Sequence, residues 1–161
     1  MSKSNFERMI ELAENVFATK NDPNQLDVNE EVIERLQKIH PSSVSEYDDG
    51  KGPVAWVLFI PTTLDLMNLF LEKKISEKEL FDLTPLNAKY ETVYLCSAMV
   101  LEEYRRKGIA KKLSLAAIEN IQKEHPLKAL FVWAFSKEGD LGAEALAKQV
   151  GLPLYKRNEM E

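Results

Sequence analysis

Between Pro53 and Pro61 lies an unbroken apolar run, Val54-Ala55-Trp56-Val57-Leu58-Phe59-Ile60, and few folds can accommodate one. It is short and rich in aromatic and β-branched residues, so it predicts a strand buried on both faces. A sheet built around such a strand needs cover on both sides. Further along, Thr92 to Val100 reads as a second strand and Gly108 to about Glu124 as a long helix. Ala129 to Phe135 reads as a third strand, and Leu141 to Val150 as a helix closed by Gly151 in the left-handed conformation. A last short strand is expected near Leu154 to Arg157. Connections this short suit right-handed crossovers between neighbouring strands, which makes the chain an α/β (α+β) domain.

Helices precede and interrupt this pattern. Ser4 and Glu7 have capping-box spacing, and Phe6, Met9, Ile10, Ala13, Val16 and Phe17 follow at helical intervals, predicting a first helix from about residue 5 to 18. Asp27 and Glu30 repeat that logic for a second helix through Val32, Leu36 and Ile39, stopped by Pro41. Ser42 to Gly52 reads as a polar loop. After the apolar strand, Thr62 or Thr63 caps a helix bearing Leu66, Met67, Leu69 and Phe70, and Ser76 with Glu79 starts a shorter one toward Leu83.

A length of 161 residues points to one domain spanning 1–161, large enough to bury a core without disulfides or a structural metal. Cys96 is the single cysteine, and with two histidines it forms no familiar zinc-site spacing, so no metal is expected. The amino terminus lacks the apolar core of a signal peptide, and no stretch approaches the roughly 18 apolar residues of a membrane span, so a cytoplasmic location is expected. Lys and Arg number 21 against 26 Asp and Glu, a net charge of -5 that argues against nucleic acid and anionic membranes as partners.

Against that acidity, Arg105-Arg106-Lys107-Gly108-Ile109-Ala110-Lys111-Lys112 gathers five cations between a strand and a helix. Cations at the first turn of a helix oppose its dipole by roughly 0.3–1 kcal/mol each unless an anion sits among them. Gly108 allows close approach of the backbone, and Ala110 keeps the next turn small, so several amides can converge on a phosphate or pyrophosphate. A solvated surface cluster is the alternative.

The stretch from Val93 to Leu115, with Arg105, Gly108 and Ala110 in the three defining places, resembles the acyl-CoA motif of the GNAT superfamily of N-acyltransferases. The resemblance covers roughly residues 52 to 157 and implies a GNAT-like mixed central sheet flanked by helices. The helical insert at 63–83, between the strand at 54–60 and the strand at 92–100, departs from the family's usual hairpin. The resemblance further implies acetyl-CoA or another acyl-CoA as cosubstrate. Met99 and Val100 would serve the pantetheine arm through their main chain, and Arg106, Lys107, Gly108, Ile109, Ala110 and Lys111 the phosphates, with Arg105 facing phosphate or solvent.

Departures fall on the catalytic half. Where many members carry a tyrosine as general acid, four residues before the glycine, this chain has Ala147. Where some carry a glutamate as base on the strand before the motif, it has Tyr94, a poor base at an ordinary phenol pKa near 10. Glu91, at the start of that strand, is the better carboxylate candidate, acting through water. Cys96, inside a strand with no nearby cation in sequence, reads as an inert thiol, and His40 and His125 as imidazolium ions suited to helix C-termini. Glu46, Tyr47, Asp48 and Asp49 form an acidic run that either attracts a cationic amine or is a solvated loop.

The expected activity is acyl transfer to a small-molecule or peptide amine by direct attack on the thioester. The alternatives are a non-catalytic acyl-CoA-binding module and an interaction protein that binds another phosphate ligand. The insert either covers the acceptor site or forms a homodimer contact.

Overall fold

A computed structural model describes residues 4–20, 30–133 and 137–157. Helices α1 (Asn5–Lys20) and α2 (Glu30–Ile39) open the chain, followed by a 3-10 turn at Pro41–Ser43, strands β1 (Val44–Asp48) and β2 (Pro53–Thr62), and the insert helices α3 (Leu64–Leu71) and α4 (Glu77–Leu83). The second half runs β3 (Thr92–Val100), α5 (Ile109–Glu124), β4 (Ala129–Val132), α6 (Lys137–Val150) and β5 (Leu154–Lys156). Among the described residues the strands form one sheet in chain order, antiparallel across β1, β2 and β3 and parallel across β3, β4 and β5.

The loop expected from Ser42 to Gly52 instead contains a strand, Val44–Asp48. β1 is Val-Ser-Glu-Tyr-Asp, an exposed edge strand held by backbone pairing to β2, so it carries no apolar run for sequence reading to find. Its turn is built by Asp48, whose Oδ1 accepts from the amides of Gly50 at 2.7 Å and Gly52 at 3.1 Å. Elsewhere the expected boundaries hold closely, except that α6 begins at Lys137, about one turn before the expected Leu141. The end of the strand expected over Ala129 to Phe135 falls on 134–136, outside the described residues, as does the cap at Asp27.

β2 is buried along nearly its whole length because the sheet carries two cores. One face packs Leu58, Ile60, Tyr94, Met99 and Phe131 against α1, α2 and the insert. The opposite face packs Val57, Phe59, Leu95 and Leu130 against Ala117, Ile118 and Ile121 of α5 and Ala143, Leu146 and Ala147 of α6. The insert is part of the first core. Thr63 caps α3, Ser76 and Glu79 form a full capping box on α4, Phe70 is fully buried, and the Thr62 and Thr84 hydroxyls meet at 2.8 Å under the sheet.

The two histidines join α5 to the rest. His40 Nδ1 accepts from the Ser42 amide at 3.0 Å while its Nε2 lies 2.9 Å from Glu124 Oε1. His125 Nδ1 accepts from the Tyr90 amide at 3.2 Å, and the rings meet edge to face at 5.7 Å. Burial first, then the neighbouring His40 and Lys89, hold the His125 pKa below its ordinary value, so His125 caps α5 through its backbone N–H to Ile121 O while its ring favours the neutral form rather than the expected imidazolium. A depressed histidine pKa contributes stability that is complete above the unfolded value of about 6.5 and is lost as pH falls from there toward the folded value. The melting temperature is therefore expected to drop from pH 7 to pH 5, and His125→Gln, which keeps an acceptor but does not titrate, should flatten that drop.

Candidate active site

β3 has two neighbours for half its length and one for the remainder. It pairs with β4 from Thr92–Ala129 to Leu95–Val132, and among the described residues nothing pairs with that side of it beyond Leu95. On its other side the register jumps, with Phe59 opposite Leu95 and Leu58 opposite Ser97, so Cys96 is the extra residue of a β-bulge. A bulge bends its strand and sharpens the twist, and this one sits where β3 leaves β4. The thiol of Cys96 packs toward the first core rather than standing free.

The ladder to β2 decides which main-chain groups the open edge offers. The Leu101 amide donates to Val54 O at 2.9 Å, so strict alternation back along the strand turns Met99 toward β2 and leaves Val100 and Ala98 facing outward. Met99, expected to present its backbone to a pantetheine arm, is thus engaged in the sheet, with its side chain buried. Val100 keeps the expected orientation, and exposed Ala98, which sequence reasoning missed, joins it. No periodicity could have revealed this, because the alternation depends on the position of the bulge.

Beyond Val100 the chain makes a 3-10 turn at Glu102–Tyr104 and enters α5. Arg106 and Gly108 both have left-handed backbones, with φ of 66° and 76°, and Gly108 caps the helix without a side-chain acceptor for the first-turn amides. Left-handed residues interleaved at a helix start curl successive N–H groups around a concavity suited to an anion. Arg106, Lys107, Lys111 and Lys112 stand exposed around it, Ile109 and Ala110 are half-buried, and no acidic residue occupies the first turn. Arg105 acts differently: its Nε donates to Val100 O at 3.0 Å and braces the turn against the strand end. Arg8 of α1 grips Glu103 with bonds of 2.5 and 2.6 Å, which hold the Glu103 carboxyl at about 2. Tyr104 donates to Asp49 in the β1–β2 turn, and Lys107 lies over the Tyr104 ring at 5.4 Å.

The remaining expected residues lie apart from this edge. Glu91 precedes β3, with its backbone bonded to Thr62 and Lys128 and its carboxylate 3.0 Å from Lys128 Nζ. Five residues of strand, about 16 Å, separate it from Cys96. Tyr94 is fully buried against Phe70 and Phe131, and its hydroxyl donates to the buried Glu77 at 2.5 Å. Burial first and then the Glu77 charge push its pKa well above that of an ordinary phenol, so it is a proton donor and not a base at neutral pH. Ala147 packs in the second core, facing the sheet. The acidic run is consumed locally: Glu46 accepts from Trp56 Nε1 at 2.9 Å, Asp48 and Asp49 accept from turn amides, and Asp49 also takes Tyr104. Among the described residues no group of three metal-ligating side chains assembles, and no helix is long and apolar enough to cross a membrane.

Residues 7–152 match the family model described as the acetyltransferase (GNAT) family. No curated protein matches the chain. The geometry of the turn makes a separable prediction: Gly108→Glu should weaken binding of any phosphate-bearing ligand at this turn at least tenfold, with CoA as the probe, because it puts a negative charge beside the amides. Gly108→Ala isolates the backbone cost of a side chain at positive φ, about 1–2 kcal/mol, since a Cβ there meets no neighbouring atom. Titration calorimetry with CoA and thermal melting of both variants distinguish the two effects.

Proposed function

Because the chain belongs to the GNAT acetyltransferase family, we propose that it binds acetyl-CoA or another acyl-CoA along the open edge of β3 and at the turn into α5, and transfers the acyl group to an amine. The observation that carries this reading is the continuity of the two features. The outward groups of Ala98 and Val100 lead directly to the left-handed residues Arg106 and Gly108 and the uncapped first turn of α5. An extended arm with amide groups pairs with the strand edge as an added strand does, and a pyrophosphate occupies the amide concavity among the cations.

The chemistry asked of the protein is modest. The amine attacks the thioester carbon directly, the carbonyl oxygen gains negative charge, and the thiolate of CoA leaves. In this reading a backbone N–H on the open edge, that of Ala98 or Val100, receives the developing oxyanion, the interaction that counts most in acyl transfer. In this reading neither Glu91 nor Tyr94 takes the ammonium proton: the first is committed to Lys128 far along the strand, the second already donates to Glu77. The proton leaves to water at the mouth of the site. Ala147 supplies no hydroxyl, so the departing thiolate is also protonated from solvent. That absence equally favours a second reading, a module that holds acyl-CoA without turning it over.

Calorimetry with acetyl-CoA and release of free CoA across an amine panel test both readings. Binding with turnover is expected, binding without turnover selects the module, and failure to bind at millimolar ligand overturns both. Glu91→Gln should retain activity within about twofold, because a residue outside the site contributes nothing to the transition state. A loss of 10² or more, the lower end of what a general base supplies, would reinstate it as the base.

A further inference from the structure

Arg157 follows β5, and its backbone N–H bonds Val132 O at 2.9 Å, which sets it beside the carboxyl end of β4, where β3 and β4 part. Ligands of open α/β sheets bind outside the carboxyl ends of the parallel strands. The side chain lies on the first-core face, its guanidinium carbon 4.5 Å from the Phe70 ring centre and 4.6 Å from that of Trp133. Nη1 donates to Ile75 O in the insert at 3.0 Å. Both rings are buried, so the cation is clamped by two aromatic surfaces and one carbonyl.

A guanidinium carries five N–H donors, and among the described residues one of Arg157's meets a protein acceptor. No described carboxylate pairs with it. Glu77, the buried acid on the same face, takes the Tyr94 hydroxyl, while Glu46, Asp48 and Asp49 are spent on Trp56, Tyr104 and the amides of their own turn. A half-buried cation whose side-chain freedom is already lost, and most of whose N–H donors meet no described acceptor, is prepared for an anion. Its planar fork matches a carboxylate in two parallel hydrogen bonds.

We propose that Arg157 anchors a carboxylate on the acceptor, so that the acceptor is an amino acid or a similarly short amine bearing a carboxylate. The inference rests on the acyl-transfer reading and names the substrate class of that same site. With neighbouring strands about 4.8 Å apart, a carboxylate on Arg157 leaves an amine a few bonds away within reach of the β3 edge.

The test separates this inference from its premise. N-acetylated amino acids, the products of such a transfer, are titrated into the full chain beside their methyl esters, which keep the shape and lose the charge. The acids should bind at least tenfold more tightly, and Arg157→Gln should abolish the difference while leaving acetyl-CoA affinity unchanged. In turnover, amino acids should exceed the matching decarboxylated amines by about 10² in kcat/KM, within the range seen when a site is built around a polar group its competitor lacks. Arg157→Lys retains the charge without the fork and should recover part of the preference, which guards against a Gln variant that merely loosens the insert. Equal binding of acid and ester, no binding of either, or an unchanged preference in Arg157→Gln would overturn the proposal, whereas failure of acetyl-CoA itself to bind overturns the premise.

Discussion

The structure depends on where β3 loses its second neighbour. Up to Leu95 the strand sits between β2 and β4, and its residues are buried on both faces. From Cys96 onward, among the described residues, it is held by β2 alone, and the bulge bends it at that point. An internal strand with unpaired N–H and C=O groups is costly unless something else satisfies them. The two outward residues, Ala98 and Val100, therefore define an opening in the interior of the sheet, where β3 and β4 part. Everything assigned to function lies along that opening or at its ends.

Three elements hold the opening in shape. Arg105 closes back on Val100, so the basic turn is fixed to the strand it follows. Arg8 and Asp49 hold the same turn through Glu103 and Tyr104, linking α1 and the β1–β2 hairpin to the start of α5. The insert closes the first-core face under Tyr94 and Phe131 and presents Ile75 and Phe70 to Arg157. Charges that look like a pool in the sequence are thus divided among separate tasks, the acids of the β1–β2 turn to local structure and Arg105 to the strand end, while Arg106, Lys107, Lys111 and Lys112 stand exposed at the start of α5.

Much of the fold was legible because local chemistry agreed with the final packing. The capping pairs Ser4/Glu7 and Ser76/Glu79 fixed helix starts, Pro41 a helix end, and the apolar density of 54–60 the central strand. β1 was illegible because an exposed edge strand with polar side chains is held by its neighbour's backbone, which has no sequence pattern. The site was legible in part for the same reason. The cations beside Gly108 are plain in the sequence, but whether Met99 or Ala98 faces outward depends on one inserted residue in a ladder. Tyr94 reads as core or a substrate wall, and becomes a buried donor only once Glu77, 17 residues away, is brought to its hydroxyl.

The sequence alone determined the order of the helices and of every strand but β1, the basic glycine turn between β3 and α5, and the lack of a tyrosine at Ala147, since each is a local pattern or a residue identity. Tertiary structure alone decided that Glu91 is tied to Lys128, that the acidic run folds onto its own turn, and that Arg157 lies between Phe70 and Trp133. The physical reason is the same in each case: a charge takes its role from the partners that packing brings within a few ångströms, and those partners are distant in the chain.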